Sequence, residues 1–191
     1  MEFDAVLVIG PQGSGKDTQA SVLANWLGFF FWETGATLRR SEDVITSSGE
    51  RAGDILKSGR LFTDEELMSV VEKELKKLPR DRGIVFEGIP RRVSQAELLL
   101  GFLESLGKKR IATIFLDLPK EESIKRILLR AKKENRADDT REAIGQRLAH
   151  YEADTVPMLD FLKRRTAFFE IDGRPSIEEV TKSVNKALGI S

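Results

Sequence analysis

The stretch Ala5-Val-Leu-Val-Ile-Gly10-Pro-Gln-Gly-Ser-Gly-Lys16-Asp17-Thr18 decides how the rest of the chain is read. Its first five residues are apolar and largely β-branched, the composition of a strand buried on both faces. The strand signal stops at Gly10. Gly13, Ser14 and Gly15 then let successive backbone N–H groups turn inward around an anion. The amphipathic run from Gly15 to Leu27 predicts a helix whose positive N-terminal end faces the same point. Lys16 is placed to reach the outer phosphates of a bound nucleoside triphosphate. The usual pattern has Ser or Thr directly after the lysine; here Asp17 stands there and Thr18 follows.

Outward from this loop, short apolar runs alternate with longer amphipathic ones. Phe29–Trp32, Ile84–Phe86, Ile111–Leu118 and Ala167–Ile171 predict four further strands. The aromatic run Phe29–Trp32 is assigned to the core, not to base stacking. Helical periodicity covers Thr63–Leu78, with Thr63 and Glu66 as a capping box, Ser94–Leu106, and Lys120–Lys132. Asp139 with Glu142 opens another helix running through Tyr151, and Ser176 with Glu179 opens the last. This β-α alternation predicts an α/β fold, a five-stranded parallel sheet covered by helices on both faces.

Composition narrows the function. The 191 residues suit one domain, with 31 Lys+Arg against 31 Asp+Glu and a formal net charge of zero. That balance argues against nucleic acid or an anionic membrane as partner. There are no cysteines, so disulfides, thiolate metal sites and cysteine nucleophiles are excluded. No leader or spanning segment is legible near Met1, and a cytoplasmic monomer is expected.

With the loop extended to Gly10–Ala20, the chain resembles the adenylate kinase family of nucleoside monophosphate kinases, in order and over nearly its whole length. Thr34-Gly35-Ala36-Thr37-Leu38-Arg39 is similar to that family's acceptor motif. Ser58–Asp64 resembles the segment along the acceptor base. Glu87-Gly88-Ile89-Pro90-Arg91 with Gln95 resembles the element whose arginine grips the acceptor phosphate and whose glutamine reads adenine. Arg126, Arg130, Arg136 and Arg147 resemble the arginines around the transferring phosphoryl group.

The resemblance implies a three-layer P-loop NTPase fold with a helical acceptor segment, about 34–78, and a short lid, about 131–137. Only five residues separate Arg130 from Arg136, too few for an inserted lid domain. It implies reversible transfer from ATP to AMP giving two ADP. Gly13, Ser14, Gly15, Lys16, Asp17, Thr18, Arg126 and Arg130 would bind ATP. Thr34, Gly35, Arg39, Gly88, Arg91 and Gln95 would bind AMP, and Lys16, Arg91, Arg126, Arg136 and Arg147 would act in catalysis. Arginine suits such work because its planar fork stays charged and meets phosphate bidentately. Thr34 and Gln95 favour adenine. A UMP/CMP-type kinase and a nucleotide-binding module with little turnover are the alternatives.

Departures cluster around the expected Mg²⁺ site. Asp17 replaces a small glycine, Ala36 an aspartate, and Glu87 a second aspartate. Asp17 and Glu87 are the metal-directed carboxylates that remain, acting mostly through water. Two readings of Asp17 stand: it supplies the carboxylate that Ala36 lacks, or it only favours its helix N-terminus. Lys108, Lys109, Arg92 and the Lys163-Arg164 pair are assigned to the solvated surface, and His150 to a structural place on a helix.

Overall fold

The computed structural model describes residues 2–134, 144–145, 148–149 and 151–190. Five strands form one sheet: β1 (Ala5–Ile9), β2 (Phe30–Glu33), β3 (Ile84–Glu87), β4 (Ile111–Asp117) and β5 (Ala167–Asp172). All are parallel, in the order β2-β3-β1-β4-β5. The eight α-helices whose bounds lie among the described residues are α1 (Lys16–Leu27), α2 (Thr34–Arg40), α3 (Ala52–Ser58), α4 (Asp64–Leu75), α5 (Val93–Ser105), α6 (Lys120–Glu134), α7 (Val156–Lys163) and α8 (Ile177–Ala187). A π-helical turn, Tyr151–Thr155, leads into α7. No helix among the described residues is long and apolar enough to cross a membrane.

The apolar run of β1 is uninterrupted because each face meets its own core. Ala5, Leu7 and Ile9 join Phe86, Leu99, Leu103 and Met158 on the side of α4, α5 and α7. Val6 and Val8 join Ala20, Leu23, Ile114 and Val184 on the side of α1 and α8. Each Val, Leu, Ile, Phe or Met among them contributes about 1.5–3 kcal/mol by leaving water. A smaller cluster of Ile127, Ile144 and Leu148 steadies α6. The predicted capping boxes Thr63/Glu66 and Ser176/Glu179 are both formed.

Chain direction positions the site. From β1 the chain runs to one side for β2 and β3, then crosses to the other for β4 and β5. The connections leaving β1 and β4 therefore diverge and open a crevice at the carboxyl ends of the strands.

The structure refines several expectations. β2 starts at Phe30 and extends to Glu33, one residue beyond the predicted run. Within it Trp32 is wholly buried, while Phe30 and Phe31 are half-buried because β2 is an edge strand. Lys108 is not a surface lysine. It is 7% exposed, and its ammonium donates to the carbonyls of Arg80 at 3.0 Å and Arg82 at 2.7 Å. Helix α7 had no predicted counterpart. Residues 131–134 continue α6; the remainder of the expected lid, the Asp139/Glu142 capping box and His150 lie outside the described residues.

Candidate functional site

At the end of β1 the loop adopts the conformation its glycines allow. Gly13 and Gly15 have φ of +78° and +82°, values that cost an L-residue about 1–2 kcal/mol. The Ser14 N–H donates to the Pro11 carbonyl at 3.3 Å, closing the turn. Lys16 opens α1 and arches back over the loop, its ammonium 3.4 Å from the same carbonyl. Ser14 Oγ and Gln12 Oε1 are buried with no partner among the described residues. A loop holding idle polar atoms inward is suited to a polar ligand.

Helix α6 braces the loop from outside. Ser123 Oγ donates to the Gln12 carbonyl at 2.6 Å. Arg126 reaches further: its guanidinium donates to Gly173 O at 2.8 Å, Arg174 O at 2.7 Å and, more weakly, Gly13 O at 3.4 Å. Its Nε meets Glu122 at 3.1 Å. Arg126 thus ties the phosphate loop to the β5–α8 connection. Gly173 and Arg174 gave no sequence signal, because they contribute backbone carbonyls. Arg130, one turn on, is half-buried and close enough to act on Lys16 electrostatically.

Electrostatics join the two halves of the site. Burial pulls the Lys16 ammonium below its ordinary pKa, and the fields of Glu87 and then Asp17 push it back up. Burial raises the Glu87 carboxyl above its usual range, opposed first by Lys16 and then by Arg91. The loop lysine and the acceptor-motif arginine therefore both act electrostatically on one half-buried carboxylate. Glu33, in register with Glu87 across β2 and β3, adds to the negative field there. It was missed because the predicted strand stopped at Trp32.

Thr34, Gly88, Arg91 and Gln95 lie together. The Thr34 hydroxyl donates to the Glu87 carbonyl at 2.8 Å and accepts from Trp32 Nε1 at 3.0 Å. Gly88 has φ of +86°, and its bare Cα faces Thr34 closely: a Cβ there would sit 2.7 Å from Thr34 Oγ1. Arg91 folds its Nε onto Gly88 O at 2.8 Å and leaves the guanidinium exposed. Arg39 is also exposed and lies over Gly35, where a Cβ would stand 3.3 Å from its NH1. Gln95 is 5% exposed and accepts from the Arg91 N–H at 2.9 Å. Thr155, on the π-helical turn, donates to the Arg91 carbonyl at 3.3 Å.

Asp17 is exposed on the first turn of α1, with Thr18 half-buried beside it. Ala36 offers no oxygen ligand. No group of three or more His, Cys, Asp or Glu side chains able to hold a metal occurs among the described residues. Two carboxylates near the loop lysine fit a hydrated Mg²⁺ held chiefly by water and substrate phosphates, not a protein cage. Arg136 and Arg147 lie outside the described residues. A hollow of about 420 Å³ runs along the free edge of β2 beside Phe31, Thr37 and Arg40. It contains neither Lys16 nor Arg91, so the site is the open crevice and not this hollow.

Comparison with known proteins agrees with this geometry. The family model described as adenylate kinase matches residues 8–167. The chain is 36% identical over 186 residues to an adenylate kinase of Thermus thermophilus, covering 97% of each chain. It is 34% identical over 183 residues to that of Stenotrophomonas maltophilia, covering 96% of this chain and 98% of the relative. A phosphate loop at the end of a central strand, an acceptor cluster beside it and these likenesses lead to one assignment: the chain belongs to the adenylate kinase family.

Proposed function

We propose that the protein catalyses reversible phosphoryl transfer from ATP to AMP, giving two ADP. The observation that carries this reading is the shared carboxylate. Lys16 from the phosphate loop and Arg91 from the acceptor cluster both act on Glu87, so donor and acceptor cations share one electrostatic neighbourhood. Donor and acceptor nucleotides bring several negative charges into that neighbourhood, and catalysis is positioning and charge stabilisation more than covalent chemistry.

The roles are assigned from the motifs and the geometry that supports them. Loop N–H groups between Gly13 and Lys16 hold the donor phosphates, and Lys16 follows the charge that builds on the transferred group. Arg39 and Arg91, both exposed, take the acceptor phosphate bidentately. Thr34 and Gln95 meet the acceptor base. Arg126 and Arg130, with Arg136 and Arg147 by family resemblance, are the cations assigned to the transferring group. Asp17 and Glu87 would hold the waters of Mg²⁺, which when bound neutralises phosphate charge. The segment about 34–78 and the lid about 131–137 close over both substrates, excluding water so that phosphate passes to AMP. We retain a cytoplasmic monomer as the working form, the cysteine-free composition fitting a reducing compartment.

A coupled assay with ATP, Mg²⁺ and a panel of monophosphates tests the reading. AMP is expected to be the fastest acceptor. UMP or CMP turning over faster would transfer the assignment to a pyrimidine kinase. ATP binding without any turnover would leave only a nucleotide-binding module.

A further inference from the structure

The buried amide of Gln95 is fastened at both ends. Its Oε1 accepts from the Arg91 N–H at 2.9 Å, and its Nε2 donates to Asp64 Oδ1 at 2.8 Å. Asp64, in the first turn of α4, is itself held by Arg92 NH2 at 2.9 Å and by a hydrogen bond from Ser94 Oγ. A 180° flip of the amide would set its oxygen against the Asp64 carboxylate and its NH₂ against the Arg91 N–H. Two attractive contacts would become two repulsive ones, so one orientation is fixed.

That orientation carries chemical information. An amide carbonyl accepts two hydrogen bonds and an amide NH₂ donates two. Gln95 therefore keeps one acceptor and one donor for a base, in a set order. Adenine offers a 6-amino donor beside the N1 acceptor. A 6-oxopurine offers the reverse, an acceptor at position 6 and a donor at N1, and would need the flipped amide. We infer that Asp64 sets the choice of 6-aminopurine over 6-oxopurine by locking the Gln95 amide. This inference rests on the reading that Gln95 faces the acceptor base.

Steady-state kinetics with AMP and inosine monophosphate test it, since the two differ only at position 6 and N1. The wild type is expected to favour AMP by about a hundredfold or more in kcat/KM, because the wrong edge leaves buried polar groups unpaired. Asp64→Asn removes the charge that forbids the flip and keeps the side-chain volume. It is expected to lower the AMP-to-IMP ratio about tenfold, through a higher KM for AMP and an absolute gain in kcat/KM for IMP. Merely loosening the fold would lower both substrates together and give no gain. Asp64→Ser serves as a second variant, and thermal midpoints establish that each is folded. Gln95→Ala separates the two ideas. If it raises the KM for AMP while both Asp64 variants keep the wild-type ratio, the inference is overturned and the parent reading stands. If Gln95→Ala changes neither KM nor ratio, both fall.

Discussion

Replacing Gly88 with alanine is expected to unfasten the acceptor side of the site. At φ +86° an alanine carries about 1–2 kcal/mol of backbone strain. Its Cβ would stand 2.7 Å from Thr34 Oγ1 and 3.0 Å from Thr34 Cβ. Thr34 can retreat only by abandoning the Glu87 carbonyl and the Trp32 indole N–H. Trp32 is wholly buried, so an indole N–H left without a partner adds about 1–3 kcal/mol. The sum, about 2–5 kcal/mol, is a large part of an ordinary domain's stability of about 5–15 kcal/mol. At about 2–4 °C per kcal/mol for this chain length, the midpoint should fall by roughly 4–20 °C. A thermal melt measures this, and initial rates should show KM rising for AMP more than for ATP, whose loop hangs from β1. Gly101→Ala is the control: it is a helical position with nothing within 4 Å of the added Cβ, where alanine should stabilise by about 0.5–1 kcal/mol. A Gly88→Ala midpoint within about 2 °C of wild type, with unchanged KM for AMP, would refute the reasoning.

Three further outcomes are expected. Ser176→Ala removes the oxygen that accepts the Glu179 N–H and should cost about 0.5–2 kcal/mol, read from urea midpoints at constant slope. The Arg60 guanidinium beside Glu66 holds its carboxyl at about 2, below an ordinary value near 4.5. Because the folded pKa is depressed, this contribution is present above pH 4.5 and lost as pH falls from there toward 2. Glu66→Gln should therefore be less stable than wild type at neutral pH and converge with it near pH 2, in melts run across that range. Asp17→Gly should raise the Mg²⁺ concentration needed for half-maximal rate, and adding Ala36→Asp should bring it back; an unchanged Mg²⁺ dependence in the single variant would leave Asp17 as a helix-end charge only.

Much of this molecule is legible in its sequence. β1 and its loop announce themselves because a strand covered on both faces must be apolar throughout, and because glycines followed by lysine have few other uses. Thr34, Arg91 and Gln95 were legible through motif order, and the structure brings them together. Helix α7 was not. Its start, Thr155-Val156-Pro157, reads as a break, yet proline at the first helical turn loses no hydrogen bond. Lys108 misled for a related reason: its partners are carbonyls 26 and 28 residues away, and carbonyls have no sequence signature. The same holds for Gly173, Arg174 and Thr155 around the site. Asp64 was seen only as part of the base-side segment, since its hold on Gln95 spans 31 residues. Strand order was hidden too, because alternating elements predict a parallel sheet without saying which strand is central.

That central place has a further consequence. β1 has a hydrogen-bonded neighbour on each side and a core on each face, whereas β2 is bonded only to β3. The donor loop thus grows from a strand held on both sides, whereas Thr34, Gly35 and Arg39 follow one of the sheet's two edge strands. The molecule keeps its chemical power anchored and its judgement of the incoming nucleotide adjustable. If Thr34, Gly35 and Arg39 hold the acceptor as proposed, sequence change along the β2 margin is expected to retune which acceptor is admitted while the machinery that moves the phosphate stays intact.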